Sequence, residues 1–184
     1  KKLKHSNGKN IVQSMPCNLC CRQIIPQKGD MKMSEAEASL VKEIDAALNE
    51  ATETIGFQEI KPIQKELIKF CKLIGDENPL YFENDVFPPG YLMNLTNRVI
   101  QKIFIQIGPL FIDKIRGLIH VNSEVAFLRP MTMNQSYHVK IETTEPVKKE
   151  GKMGIYYEVI FQTSIFNGKH ELCATDNHDF FFKL

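Results

Sequence analysis

The chain has 184 residues, enough for one ordinary domain and an appendage. Its 43% hydrophobic and 24% charged composition fits a soluble globular class, and its net charge of +1 makes no field for nucleic acid. No apolar run approaches the roughly 20 residues of a membrane span, and no apolar core follows the basic start, so neither membrane nor signal peptide is expected.

Residues 1–33 read as a loosely ordered basic extension. Lys1, Lys2, Lys4, Lys9, Arg22, Lys28 and Lys32 face one acid, Asp30, and Gly8, Pro16, Pro26 and Gly29 break any period. The segment carries Cys17, Cys20 and Cys21. With Cys71 and Cys173 they make an odd count, which is no secreted disulfide framework, so a reducing, cytoplasmic setting is expected. Cys17 and Cys20 have metal-ligand spacing, but no second such pair exists, so no metal is expected. No P-loop or dinucleotide fingerprint occurs, and no cofactor is expected.

Residues 34–184 read as one domain. Ser34 and Glu37 form a capping-box pattern, and Leu40, Val41, Ile44, Leu48, Ala51 and Ile55 recur at helical spacing until Gly56. Residues 57–62 are a short extended piece, and 63–74 return to helical period. The loop Gly75-Asp76-Glu77-Asn78-Pro79-Leu80-Tyr81 follows. Pro88-Pro89-Gly90 opens a helix that is apolar over much of its surface, which predicts burial, and Gly108-Pro109 ends it. The rest is strand-like: 118–129 contain Leu118, Ile119, Val121, Val125 and Phe127, 137–147 and 153–166 alternate apolar residues, Asn167-Gly168 signals a hairpin, and 170–183 return. One buried helix followed by long antiparallel strands predicts an α+β layer in which a sheet wraps a helix.

In this order, the loop Gly75–Tyr81, the opening Pro88-Pro89-Gly90-Tyr91-Leu92 and the strand His120-Val121-Asn122-Ser123-Glu124-Val125-Ala126-Phe127-Leu128-Arg129-Pro130 resemble the MaoC-like hot-dog dehydratases, in their N-terminal-type (FAS1-like) branch. The resemblance covers roughly residues 56–183. It implies a hot-dog fold, with a long central helix wrapped by an antiparallel sheet. It also implies an acyl-CoA or acyl-carrier-protein thioester as ligand, in fatty-acyl or polyketide metabolism. The partner would be a second copy or another hot-dog chain. The implied reaction is hydration of a trans-2-enoyl group or dehydration of a (3R)-hydroxyacyl group.

The family's catalytic pair is an Asp and a His five residues later. Asp76 matches the Asp, Asn78 and Pro79 match the loop's shaping residues, and Tyr81 stands at the His position. The segment 82–87 is also shorter than the family's lid. Such chemistry needs a base, an acid and a stabiliser of the thioester oxygen. A phenol titrates near 10 and is a poor base at neutral pH, but it donates a hydrogen bond. Asp76 reads either as the proton-transfer group or as a turn residue closing the preceding helix. His120 is the further imidazole at the start of the predicted central strand, whereas His138, His170 and His178 are expected on solvated peripheral strands.

For binding, Gly90 and Tyr91 lie at the helix opening, where free N–H groups suit a developing oxyanion. Asn94 either caps a backbone group or touches the thioester. Arg129 either pairs with a carboxylate such as Glu124 or contacts a pantetheine phosphate. Two readings of function stand: an active hydratase or dehydratase, and a non-catalytic acyl-binding subunit that pairs with a catalytic chain. A hot-dog thioesterase usually carries a carboxylate on its central helix, and residues 90–107 hold neither Asp nor Glu.

Overall fold

A computed structural model describes residues 33–76, 78–83, 87–152 and 154–184. Met33–Leu184 make one compact unit. The basic extension with Cys17, Cys20 and Cys21 lies outside the described residues, apart from Met33.

Helix α1 spans Glu35–Ile55. Its cap is the expected one: the Ser34 hydroxyl accepts from the Glu37 N–H at 3.2 Å. Ile44, Leu48 and Ala51, at helical spacing, form its buried stripe. Strand β1 is Gln58–Ile60, and α2 is Gln64–Ile74 with Leu67 and Cys71 buried. Gly75, at φ 72°, ends α2 in the left-handed conformation. The N–H groups of Gly75 and Asp76 both donate to the Cys71 carbonyl, which turns the chain into the loop. A short α3, Leu80–Glu83, precedes α4, Pro89–Gln106.

Proline in the first turn of α4 gives up an N–H that would have no helical partner anyway. Tyr91, Leu92, Leu95, Thr96, Val99, Ile100 and Ile103 fall on one side and are buried. Asn94, Arg98, Gln101, Lys102 and Ile105 on the other side are exposed, so α4 is buried on one face and not all round. Gly108-Pro109 does not end the helical segment. It starts another helix, α5, Gly108–Asp113, because proline fits a first helical turn as well as it stops a preceding one.

The strands are β2 Gly117–Phe127, β3 Tyr137–Thr143, β4 Val147–Gly151, β5 Gly154–Phe166 and β6 Leu172–Lys183. All pairings are antiparallel, in the order β1-β3-β5-β6-β2, with β4 also paired to β5. Strand β4 escaped the sequence reading because Lys148, Lys149 and Glu150 interrupt any apolar alternation. The β5–β6 hairpin forms where Asn167-Gly168 signals it, but as a longer loop. The Asn167 side-chain oxygen accepts from the N–H groups of Lys169 and Glu171, and His170 takes φ 60°.

The inner face of the sheet carries Tyr137, Val139 and Ile141 of β3, Val159, Phe161 and Ile165 of β5, and Ala174, Phe180 and Phe182 of β6. The apolar face of α4 packs on this layer together with α1. Phe104 makes edge contacts with Phe180 at 5.1 Å and Phe111 at 5.9 Å, joining α4, β6 and α5. The α+β architecture, a helix held against an antiparallel sheet, is the one expected.

Candidate active site

The loop after α2 brings Asp76, Asn78 and Tyr81 together. The Asp76 carboxylate accepts from the Asn78 N–H at 3.3 Å, and the Asn78 side-chain oxygen accepts from the Leu80 N–H at 3.1 Å. These are Asx turns, and with the Phe82 N–H donating to the Pro79 carbonyl they start α3. Tyr81 is half-buried and packs on the core. Burial pushes its phenol pKa up, and the charge and hydrogen bonding of Asp76 push it further, partly opposed by the Asn78 side chain. The phenol therefore keeps its proton at neutral pH. It can donate to a ligand oxygen, but it cannot act as a base.

The expected binding residues sit in three environments. Tyr91 is buried, and its hydroxyl exchanges hydrogen bonds with the backbone of Ile63 at 3.3 Å, which ties α4 to the start of α2. Gly90 is exposed, and a Cβ there would lie 3.5 Å from the Phe70 ring, an ordinary contact. Asn94 is exposed and accepts from Arg98 at 3.4 Å; both line a groove between α2 and α4 with Lys69, Phe70, Leu73 and Tyr91. Arg129 pairs with Glu171 at 3.7 Å, not with Glu124, and both side chains are about half exposed.

His120 has its partners elsewhere. Strand β2 is an edge strand of the described sheet, not a central one. The His120 ring stacks on Phe180 at 4.7 Å. Its Nε2 lies 2.9 Å from Ser123 Oγ and 3.2 Å from His178 Nδ1. Ser123 Oγ is also 2.9 Å from His178 Nδ1. Behind them, His178 Nε2 is 3.0 Å from Asp176 Oδ2, and the Thr96 hydroxyl of α4 donates to that same oxygen. His178, expected to be solvated, is fully buried because β6 is an inner strand and even-numbered residues of β6 face α4.

Ser123, Asp176, His178 and Thr96 escaped the sequence reading. One signal was present: Asp176 and His178 alternate in phase with Phe180 and Phe182, so two polar groups share a face with two aromatic ones. Among the described residues, no group of three or more His, Cys, Asp and Glu side chains is arranged to hold a metal ion.

Comparison with known proteins bears on the fold. No protein-family model matches the sequence, and no curated protein does. Solved structures do match. The ChsH1–ChsH2 complex from Mycobacterium tuberculosis aligns at TM-score 0.55 and 18% identity, over 78% of this chain and 91% of that one. The C-terminally truncated HadBC (3R-hydroxyacyl-ACP dehydratase) complex of the same organism aligns at 0.54 and 14%, over 67% and 90%. A monoamine oxidase regulatory protein from Archaeoglobus fulgius aligns at 0.53 and 13%, over 69% and 86%. The chain has the hot-dog fold. No helix among the described residues is long and apolar enough to cross a membrane.

Proposed function

We propose that residues 34–184 form a single hot-dog domain that binds acyl thioesters of coenzyme A or acyl carrier protein. It hydrates their trans-2-enoyl form or dehydrates their (3R)-hydroxyacyl form, in the manner of the MaoC-like, N-terminal-type dehydratases. The observation that carries this reading is the α2–α3 loop just ahead of α4, where Asx turns set Asp76 and Asn78 beside a half-buried Tyr81 whose phenol keeps its proton. Residues 1–33 would be an appendage to that domain.

The partner is a second hot-dog chain, a copy of this one or a relative, docked on β2. That strand runs eleven residues at the sheet edge and exposes Ile119 and Val121, a surface that natural proteins seldom leave bare. Two of the similar structures are themselves complexes of named pairs.

The experiment is hydration of crotonyl-CoA by the full chain, followed as loss of enoyl absorbance. Turnover that falls on Asp76→Asn supports the reading, whereas an inert wild-type protein refutes it. The second reading, a non-catalytic subunit, is favoured by one observation: the Tyr81 phenol is held protonated where the family has an imidazole. In that case the chain binds the thioester without turning it over and gains activity only when mixed with a catalytic partner.

A further inference from the structure

Strand β2 contains a β-bulge. His120 pairs with Phe180 and Asn122 with Asp179, so Val121 is an extra residue with no counterpart on β6. In a regular strand, residues three apart point to opposite faces. The extra residue resets the alternation, so that His120 and Ser123 share the inner face and both reach His178. Bulges re-aim side chains in this way and gather beside active sites.

The resulting chain runs from the surface to the interior. His120 is exposed, Ser123 is half-buried, and His178 and Asp176 are fully buried. One placement of protons suits it. A carboxylate accepts, so His178 Nε2 carries the hydrogen facing Asp176, and Nδ1 is left to accept from the Ser123 hydroxyl. Ser123 Oγ then accepts from His120 Nε2–H, and His120 Nδ1, across the ring, keeps its lone pair. The interior end is under-satisfied. Asp176 Oδ1 and Thr163 Oγ1 have no hydrogen-bond partner among the described residues, and the 3.0 Å contact of His178 Nε2 with Asp176 Oδ2 is close but out of line for a full hydrogen bond.

We infer that His120 is the general base and acid of this protein, with Ser123, His178 and Asp176 as positioning residues of a proton relay. The inference deepens the proposed hydratase reading and rests on it, because hydration needs a base that Tyr81 is not; Asp76 then serves as the acceptor that holds the attacking water by a hydrogen bond. His120 Nδ1 takes one proton from water as the water oxygen bonds to carbon 3 of the enoyl thioester. The electron pair of the carbon 2–carbon 3 double bond moves onto carbon 2 and the thioester oxygen. Carbon 2 then takes the proton back from the imidazolium, which leaves His120 neutral; dehydration is the reverse. While the proton is held, the relay can pass the positive charge inward to His178, beside Asp176. Among the described residues, the neighbours opposite His178 and Asp176 on β5 are the neutral Phe161 and Thr163. Asp179, bonded to Asn122, and Glu124 fall on the opposite face, and α4 contributes the neutral Thr96.

Within one chain the relay and the Asp76 loop lie toward opposite ends of α4. Phe104, near its last turns, meets Phe180, which carries His120, whereas Phe87, just before its first, meets Phe127. Antiparallel pairing of two β2 strands would bring the Phe127 end of one chain toward the His120 end of the other.

The test uses the full chain and its His120→Gln, Ser123→Ala and His178→Asn variants, in two measurements. In crotonyl-CoA hydration, His120→Gln is expected to lower kcat about 100-fold while KM stays within about twofold. Unchanged kcat in an active protein overturns the inference and leaves the hydratase reading standing. In side-chain 15N NMR at one fixed pH, the ring-nitrogen signals of His120 are expected to shift in both Ser123→Ala and His178→Asn, because each variant breaks the hydrogen-bonded chain. That measurement needs no turnover. An inert wild-type protein whose His120 signals shift in both variants refutes the hydratase reading and keeps the relay. His120 signals that are the same in wild type, Ser123→Ala and His178→Asn overturn the relay.

Discussion

His178 Nε2 stands 3.0 Å from Asp176 Oδ2, with both side chains wholly excluded from solvent. Two titratable groups facing each other on the inner face of an inner strand are costly to bury, and one hydrogen bond from α4 holds them in place, that of Thr96 to Asp176.

That bond makes Thr96 a test of how the helix and sheet are joined. Thr96→Val keeps the shape but removes the donor, leaving Asp176 Oδ2 without it. Loss of a partner to a buried acceptor costs about 1–3 kcal/mol. Urea denaturation should show that loss in the unfolding midpoint, with an unchanged slope. A midpoint equal to wild type would mean the bond contributes nothing.

Glu37 of α1 is clamped by the Tyr157 hydroxyl of β5 and by Lys148 of β4. The Tyr157 hydrogen bond, followed by Lys148, holds the Glu37 pKa below the ordinary 4.5. A carboxyl group with a lowered folded pKa contributes stability above its unfolded value, and that stability is lost as pH falls through the folded one. Burial, then Glu37, pushes the Tyr157 pKa up, so its contribution is present below 10 and is lost as pH rises beyond. Tyr157→Phe should therefore be less stable than wild type at pH 7 and lose less on acidification to about pH 4. Denaturation midpoints at the two pH values check both signs.

Tyr81→Phe separates donation from packing in the loop. The ring stays, so stability should change by less than about 0.5 kcal/mol. The phenol donor goes, and kcat for enoyl-thioester hydration should fall about tenfold, in line with removal of one hydrogen bond to a reacting group. Equal kcat in the two proteins would reduce Tyr81 to a packing residue.

Ile119→Lys tests the β2 edge. The side chain is 45% exposed, so its loss should leave the fold intact. A charge on an edge strand blocks pairing with another chain. Size-exclusion chromatography with light scattering should show wild type as a dimer and the variant shifted to monomer. A wild-type monomer at high concentration would argue for a different partner chain.

Much of the fold was legible because local patterns carry it. The capping pair Ser34 and Glu37, the stripe Ile44–Leu48–Ala51 and the alternation along β3 and β5 each follow from one helical turn or one pleat. The local shape of the Asp76–Tyr81 loop follows from neighbours too, since Asx turns join Asp76 to Asn78 and Asn78 to Leu80. What failed were signals with two meanings: Gly108-Pro109 starts a helix as readily as it stops one, and the many apolar residues of α4 suggested burial over most of its surface although Asn94, Arg98, Gln101 and Lys102 mark a solvent side.

By itself the amino-acid sequence determined the element order, the capped helices, the α+β layer and an Asp76–Tyr81 loop without an imidazole. Only the tertiary structure decided that His178 is buried, that β2 is an edge, and that His120, Ser123, His178 and Asp176 form a chain. The physical reason lies in the register of β2 on β6. One bulged residue, Val121, inverts the face of everything after it, and its partners lie more than fifty residues away, beyond the reach of any local period.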